Sequence, residues 1–151
     1  MGLDMYLTAK RYISSYKEED IEFGKKIQAA VDTKGYRPTY ITLDVGYWRK
    51  ANAIHAWFVK NIQDGKDDCG SYRLSRNKAL VLLDFVKQVL ADNTKAEELL
   101  PSADGFFFGS TEYDEWYFEN LEETKTILEG VIENFMVEGD FTWEVEYQSS
   151  W

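Results

Sequence analysis

Gly46-Tyr47-Trp48-Arg49-Lys50-Ala51-Asn52-Ala53-Ile54-His55-Ala56-Trp57-Phe58-Val59-Lys60-Asn61-Ile62-Gln63 is the stretch from which the rest of the chain is read. At about 100° per residue, Tyr47, Ala51, Ile54, Phe58 and Ile62 fall on one arc, with Trp48, His55 and Val59 at its edge. The spacing predicts an amphipathic helix over 47–62 that starts at a break in Gly46. Asp64-Gly65 stops it, glycine being suited to a left-handed cap. The stretch also holds the only histidine and two of the five tryptophans.

Toward the amino terminus, Leu3, Met5 and Leu7 alternate with Asp4, Tyr6 and Thr8, which predicts a half-buried strand over 2–8. Residues 18–31 carry only the thin apolar stripe Ile21, Ile27 and Val31, the mark of a short, poorly packed helix. Ile41, Leu43 and Val45 predict a second strand over 40–45. Toward the carboxy terminus, 66–72 reads as a polar loop. Ser75 caps a helix whose wide face is Ala79, Leu82, Leu83, Val86, Val89 and Leu90. Thr94 to Glu97 matches a capping box, giving a helical turn over 95–100 that stops at Pro101.

Phe106-Phe107-Phe108, apolar on both sides between Gly105 and Gly109, predicts a central strand buried on both faces. A third main helix is expected over 113–136. Phe141, Trp143, Val145 and Tyr147 then alternate with Thr142, Glu144 and Glu146 as a last strand. This order lacks a regular βα alternation. The fold class it implies is α+β, with three principal helices packed on a mainly antiparallel sheet of about four strands. The length of 151 residues suits a single domain, 1–151.

Hydrophobic residues make up 44% and aromatics 16%, too much apolar content for a disordered chain. The net charge of -10 is unevenly spread. Residues 1–75 carry 12 Lys and Arg against 10 Asp and Glu, whereas residues 76–151 carry 5 against 17. Between Glu97 and Glu146 the only cation is Lys125, so this half presents a negative surface that repels nucleic-acid phosphate and attracts basic partners. Direct nucleic-acid binding is therefore not expected. Cys69 stands alone and has no partner for a disulfide or a zinc site. With neither a signal-peptide pattern nor a long apolar run, the expectation is a soluble, cytoplasmic protein without membrane contact.

On the predicted helix, Trp48, Asn52 and His55 share one edge. The functional reading makes Trp48 a stacking surface, Asn52 a hydrogen-bonding fork and His55 a proton donor or acceptor; Tyr113 and Asp114 join them if the fold brings them near. The plainer reading is a core histidine bonded to a carbonyl. Lys50, Trp57 and Asn61 form the opposite edge, part of an interface or a ligand platform, or, if neither, half covered by neighbouring loops. Ser110 and Thr111 offer phosphate ligands at a helix start, yet Glu112, Asp114 and Glu115 there oppose an anion and suit the helix dipole instead. Asp64, Asp67 and Asp68 do not match a calcium loop. The chain has no phosphate-binding or dinucleotide glycine motif and no Gly-x-Ser-x-Gly elbow, so no metal or cofactor is expected.

Met1-Gly2-Leu3-Asp4-Met5-Tyr6-Leu7, the stretch 46–63, and Gly105-Phe106-Phe107-Phe108-Gly109-Ser110-Thr111-Glu112-Tyr113-Asp114-Glu115-Trp116-Tyr117-Phe118 together resemble a family of small bacteriophage and prophage proteins with no assigned function. Some members carry the label phosphoglycerate kinase, which does not fit a chain of this length without a nucleotide loop. The resemblance implies a phage setting, and no catalytic residues. Small acidic phage proteins often inhibit host systems. The expected role is therefore a non-catalytic, anti-defence inhibitor of a host protein with a basic surface, a class that includes inhibitors of CRISPR effectors. It would act through acids such as Glu115, Glu119, Glu122 and Glu123. The alternatives are a nucleotide or small-ligand binder around Trp48, Asn52 and His55, and an enzyme with His55 as acid or base.

Overall fold

The alternation at Leu3, Met5 and Leu7 does build a strand, β1 (Asp4–Tyr12), in the computed structural model, which describes residues 2–151. It is followed by α1 (Glu18–Ala30), β2 (Tyr40–Arg49), α2 (Asn52–Ile62), β3 (Ser71–Arg73), α3 (Arg76–Ala91), a short α4 (Ala96–Leu99), α5 (Glu115–Phe135) and β4 (Glu144–Ser150). The four strands form one antiparallel sheet in the order β2-β1-β4-β3. The α+β class expected from the order of elements is the class found. No helix among the described residues is long and apolar enough to cross a membrane.

The period of two along β1 gives the sheet two unlike faces. Leu3, Met5, Leu7 and Ala9 point inward with Trp48 of β2 and Val145 and Tyr147 of β4, and all are buried. Against them lie Ile54 and Phe58 of α2, Leu82 and Val86 of α3, and Leu121 and Leu128 of α5. Full burial of each large apolar side chain contributes roughly 1.5–3 kcal/mol, so this layer of contacts dominates the stability. On the other face the tyrosine pairs Tyr6–Tyr47 and Tyr12–Tyr40 meet tilted at 5.4 and 5.2 Å and remain open to solvent.

Ser75 caps α3 as expected, accepting from Lys78 N at 3.3 Å, and Asp114 caps α5. The expected weak helix exists as α1 and is held mainly by polar contacts. Arg11 donates to Asp20 Oδ1 at 3.0 Å and Ser14 N to Asp20 Oδ2 at 3.1 Å. The Arg11 guanidinium lies 4.7 Å from the Phe23 ring centroid.

Five expectations need correction. Tyr47, Trp48 and Arg49 belong to β2, not to the helix, because pairing with Tyr6, Met5 and Asp4 carries the strand past Gly46; the turn falls at Lys50, whose φ is 57°. Gly46 does not break the strand. A Cβ there would meet Ile127 Cγ2 at 2.6 Å, so the missing side chain lets α5 pack against β2. Phe106–Phe108 form a turn closed by Phe108 N donating to Gly105 O at 3.1 Å, with Phe106 96% exposed; the sheet is filled by other strands. One of these is β3, which lies partly in the expected polar loop, and β4 starts at Glu144 with Phe141 left exposed.

The Arg11 guanidinium and the Ser14 N–H hold the Asp20 carboxyl below the usual carboxylate range. A lowered folded value means that the stabilisation is complete above about pH 3.9, the unfolded value, and fades as pH falls through the lower folded value. Amide protection across α1 is expected to drop on acidification below about pH 4 while α3 stays protected, and Asp20→Asn is expected to lower it already at neutral pH. Protection in α1 that is unchanged down to about pH 2 would contradict this account.

Candidate functional site

Lys50 turns the chain from β2 into α2 through its left-handed backbone, and Asn52 N donates to Lys50 O at 2.9 Å. This places the Asn52 side chain, 5% exposed, against the irregular segment 101–114. Its Nδ2 donates to Phe108 O at 3.1 Å and Ser110 O at 2.8 Å, while Oδ1 accepts from Ala103 N at 3.1 Å. The fork expected for a ligand is thus taken up by three backbone groups. It holds a segment that lacks secondary structure of its own.

One turn on, His55 is 1% exposed. Its Nδ1 lies 2.7 Å from the Tyr147 hydroxyl and its Nε2 lies 3.0 Å from Asp67 Oδ2. A carboxylate only accepts, so Nε2–H donates to Asp67, and in that tautomer Nδ1 accepts from the Tyr147 hydroxyl. Phe58 stacks on the Tyr147 ring at 3.9 Å and 12°, and Phe108 meets the imidazole edge-on at 5.1 Å. Burial pushes the Tyr147 hydroxyl far above its ordinary range, so it stays protonated as a donor. The other Asp67 oxygen accepts from the Trp151 indole at 3.0 Å. The Trp151–Asp67–His55–Tyr147 chain therefore ties the end of β4 and the loop after α2 to the core. Its hydroxyl meets protein atoms on every side, which suits a structural lock and gives a substrate no access to the hydroxyl.

The remaining expected ligand groups do not converge on His55. Trp48 is 0% exposed and its Nε1 donates to Thr124 Oγ1 at 2.8 Å, so it is a core residue and not a stacking surface. Tyr113 accepts from Ser102 N at 3.3 Å and packs on Tyr117, and Asp114 accepts from Tyr117 N at 3.1 Å. Asn52 and Asp114 do line one cleft, together with Lys50, Ser110 and Trp116. That cleft leaves room for about one water molecule, far less than a nucleotide needs.

The second expected edge of α2 is not a surface either. Trp57 is 6% exposed and lies edge-on to Phe58 at 5.5 Å, while Asn61 Nδ2 donates back to Trp57 O at 2.8 Å. Lys50 lies outside the helix and lines the cleft. The acids of α5 stand differently. Tyr117, Leu121, Thr124, Leu128 and Val131 are its buried side, and Glu115, Glu119, Glu122 and Glu123 are exposed. At about 100° per residue, Glu115, Glu119, Glu122, Glu129 and Glu133 fall within roughly 40° of one line, opposite Thr124, with Glu123 at the flank. Only Glu129 of this row is paired, with Lys87 Nζ at 3.1 Å, among the described residues. Beside the row a depression has Leu90 and Phe118 in its lining and Glu115, Glu119 and Glu122 around it.

Two polar partners, Asp67 and Tyr147, escaped the sequence reading. Tyr147 had a signal, since the alternation of β4 placed it with Val145 on the buried face, where a hydroxyl requires a partner. Asp67 had none, because its aspartate-rich loop reads as solvated. No family model, curated protein or solved structure matches this chain.

The lock makes a stability prediction. Tyr147→Phe keeps the stack on Phe58 but leaves Nδ1 of His55 without its donor, an expected cost of about 1–3 kcal/mol in urea unfolding. Asn52→Ala strands one amide and two carbonyls, and is expected to cost about 2–4 kcal/mol and to increase proteolysis within 101–114. A Tyr147→Phe protein as stable as the parent would mean that the hydrogen bond contributes nothing.

Proposed function

We propose that this chain is a non-catalytic inhibitor that lays the carboxylate row of α5 on a basic surface of a host defence or nucleic-acid-handling protein. The observation that carries this reading is the row itself. Glu115, Glu119, Glu122, Glu129 and Glu133 run for about 27 Å along one side of a helix whose other side is fixed in the core. Carboxylates one turn apart, about 5–6 Å, with a single two-turn gap between Glu122 and Glu129, suit the lysines and arginines of a channel built for phosphates. Charges held on a packed helix lose little freedom on binding, which favours electrostatic docking.

The resemblance to phage proteins supports a host protein as the partner and the host cytoplasm as the place of action. The burial of His55 supports a role without catalysis, and the loss of Trp48 to the core weighs against a nucleotide held by Trp48, Asn52 and His55. Steering by such a row falls with ionic strength, since charges more than about 8 Å apart are screened at physiological salt.

Replacing Glu115, Glu119, Glu122 and Glu123 together by lysine leaves the buried side of α5 untouched. The variant is expected to fold as the parent does and to lose capture of host proteins from a lysate at low salt by roughly tenfold or more. Capture that is equal in parent and variant, or that does not weaken as salt is raised, would rule out docking through α5.

A further inference from the structure

β2 is one edge of the sheet, and among the described residues no other segment makes a backbone hydrogen bond to its free side. Ile13 N donates to Thr39 O at 2.9 Å, and bonded and non-bonded residue pairs alternate along an antiparallel ladder, so Ile41 and Leu43 turn their peptide groups toward β1. The N–H and C=O of Tyr40, Thr42 and Asp44 therefore point out of the sheet. The opposite edge, β3, spans only Ser71–Arg73 and is blunted by its shortness, whereas β2 runs from Tyr40 to Arg49.

The side chains at this edge are apolar where the core does not reach them. By their partners on β1, Ile41 and Leu43 stand on the same side of β2 as Gly46 and Trp48, yet Leu43 is 40% exposed and neither joins the core. The reason is the oblique path of α5. It covers Trp48 through Thr124 and Gly46 through Ile127, but its end lies toward β4, where Phe135 meets Trp143 at 5.3 Å. We propose that a second copy of this chain closes the edge, with Tyr40–Asp44 of the two copies paired antiparallel about a two-fold axis at Thr42. The segment is complementary to itself in that register. Thr42 meets Thr42, Tyr40 meets Asp44 and Ile41 meets Leu43, so the outward N–H groups find carbonyls and the uncovered apolar side chains close over the seam. Asp44, the one charged residue of the segment, stands opposite Tyr40 of the second copy and not opposite its own equivalent. Beyond it the register with β1 shifts at Val45, and this bulge ends the regular stretch. A seam of one strand from each copy stays below the about 1,200 Å² of stable complexes, so the dimer is weak and reversible.

Sedimentation of the whole chain over a range of concentrations tests this, with a dimer expected at a Kd of about 10–500 μM. Added salt is expected to tighten it, because each copy carries a net charge of -10; docking through α5 responds in the opposite sense. Thr42→Pro removes an N–H that β1 does not use, and is expected to weaken the dimer by about tenfold or more while the monomer stays folded. Leu43→Lys, which puts a charge on the apolar side of the seam, is expected to weaken it by about tenfold as well. The lysine-substituted α5 variant is expected to dimerise at least as tightly as the parent. A chain that stays monomeric up to about 1 mM, or a dimer left unchanged by either edge variant, would overturn the inference, whatever other strand the edge then takes up. A circular-dichroism melt checks that each variant is folded.

Discussion

An indole N–H carried into a dry core must find an acceptor, and for Trp48 that acceptor is Thr124 Oγ1, halfway along α5. This bond fixes the rotation of the longest helix on the sheet. Gly46, two residues earlier on the same strand, sets how close the helix comes, since Ile127 occupies the space where a Cβ would stand. With Thr124 turned inward, the row from Glu115 to Glu133 has to face outward. The position of the acid surface is thus a consequence of how the core satisfies one polar hydrogen.

The same logic acts on a smaller scale at α2. Its two buried polar side chains reach into segments that cannot hold themselves. Asn52 supplies the missing backbone partners of 101–114, and His55 joins the loop at Asp67 to β4 through Tyr147. Polar groups fully satisfied in a low-dielectric interior give direction as well as stability, because few other arrangements pair them all. The polar content that makes 46–63 look like a binding motif is therefore explained largely by the segments it anchors.

The parts of the fold legible in the sequence are those set by a local period. Leu3, Met5 and Leu7 announced β1, the Ala79 to Val89 face announced α3, and Ser75 marked its start. The stretch 47–49 misled because its aromatic spacing suits a helix as well as a strand, and only pairing with Asp4–Tyr6, more than forty positions away, decides between them. Phe106–Phe108 misled because an apolar run says nothing about whether a sheet has a vacant edge. The partners of His55 were hidden for a like reason: one lies in an irregular loop and the other across the sheet, and no local pattern records either contact.

The order β2-β1-β4-β3 places the strand nearest the carboxy terminus between two others, paired residue for residue from Asp4–Ser150 to Lys10–Glu144. During synthesis β1 and β2 can pair early across α1, but the inner side of β1 stays open until residues 144–150 have left the ribosome. Closure of a sheet across so long a span is entropically slow. A nascent or truncated chain therefore carries an exposed strand edge beside its most apolar residues, the setting in which chains pair with each other instead of with themselves.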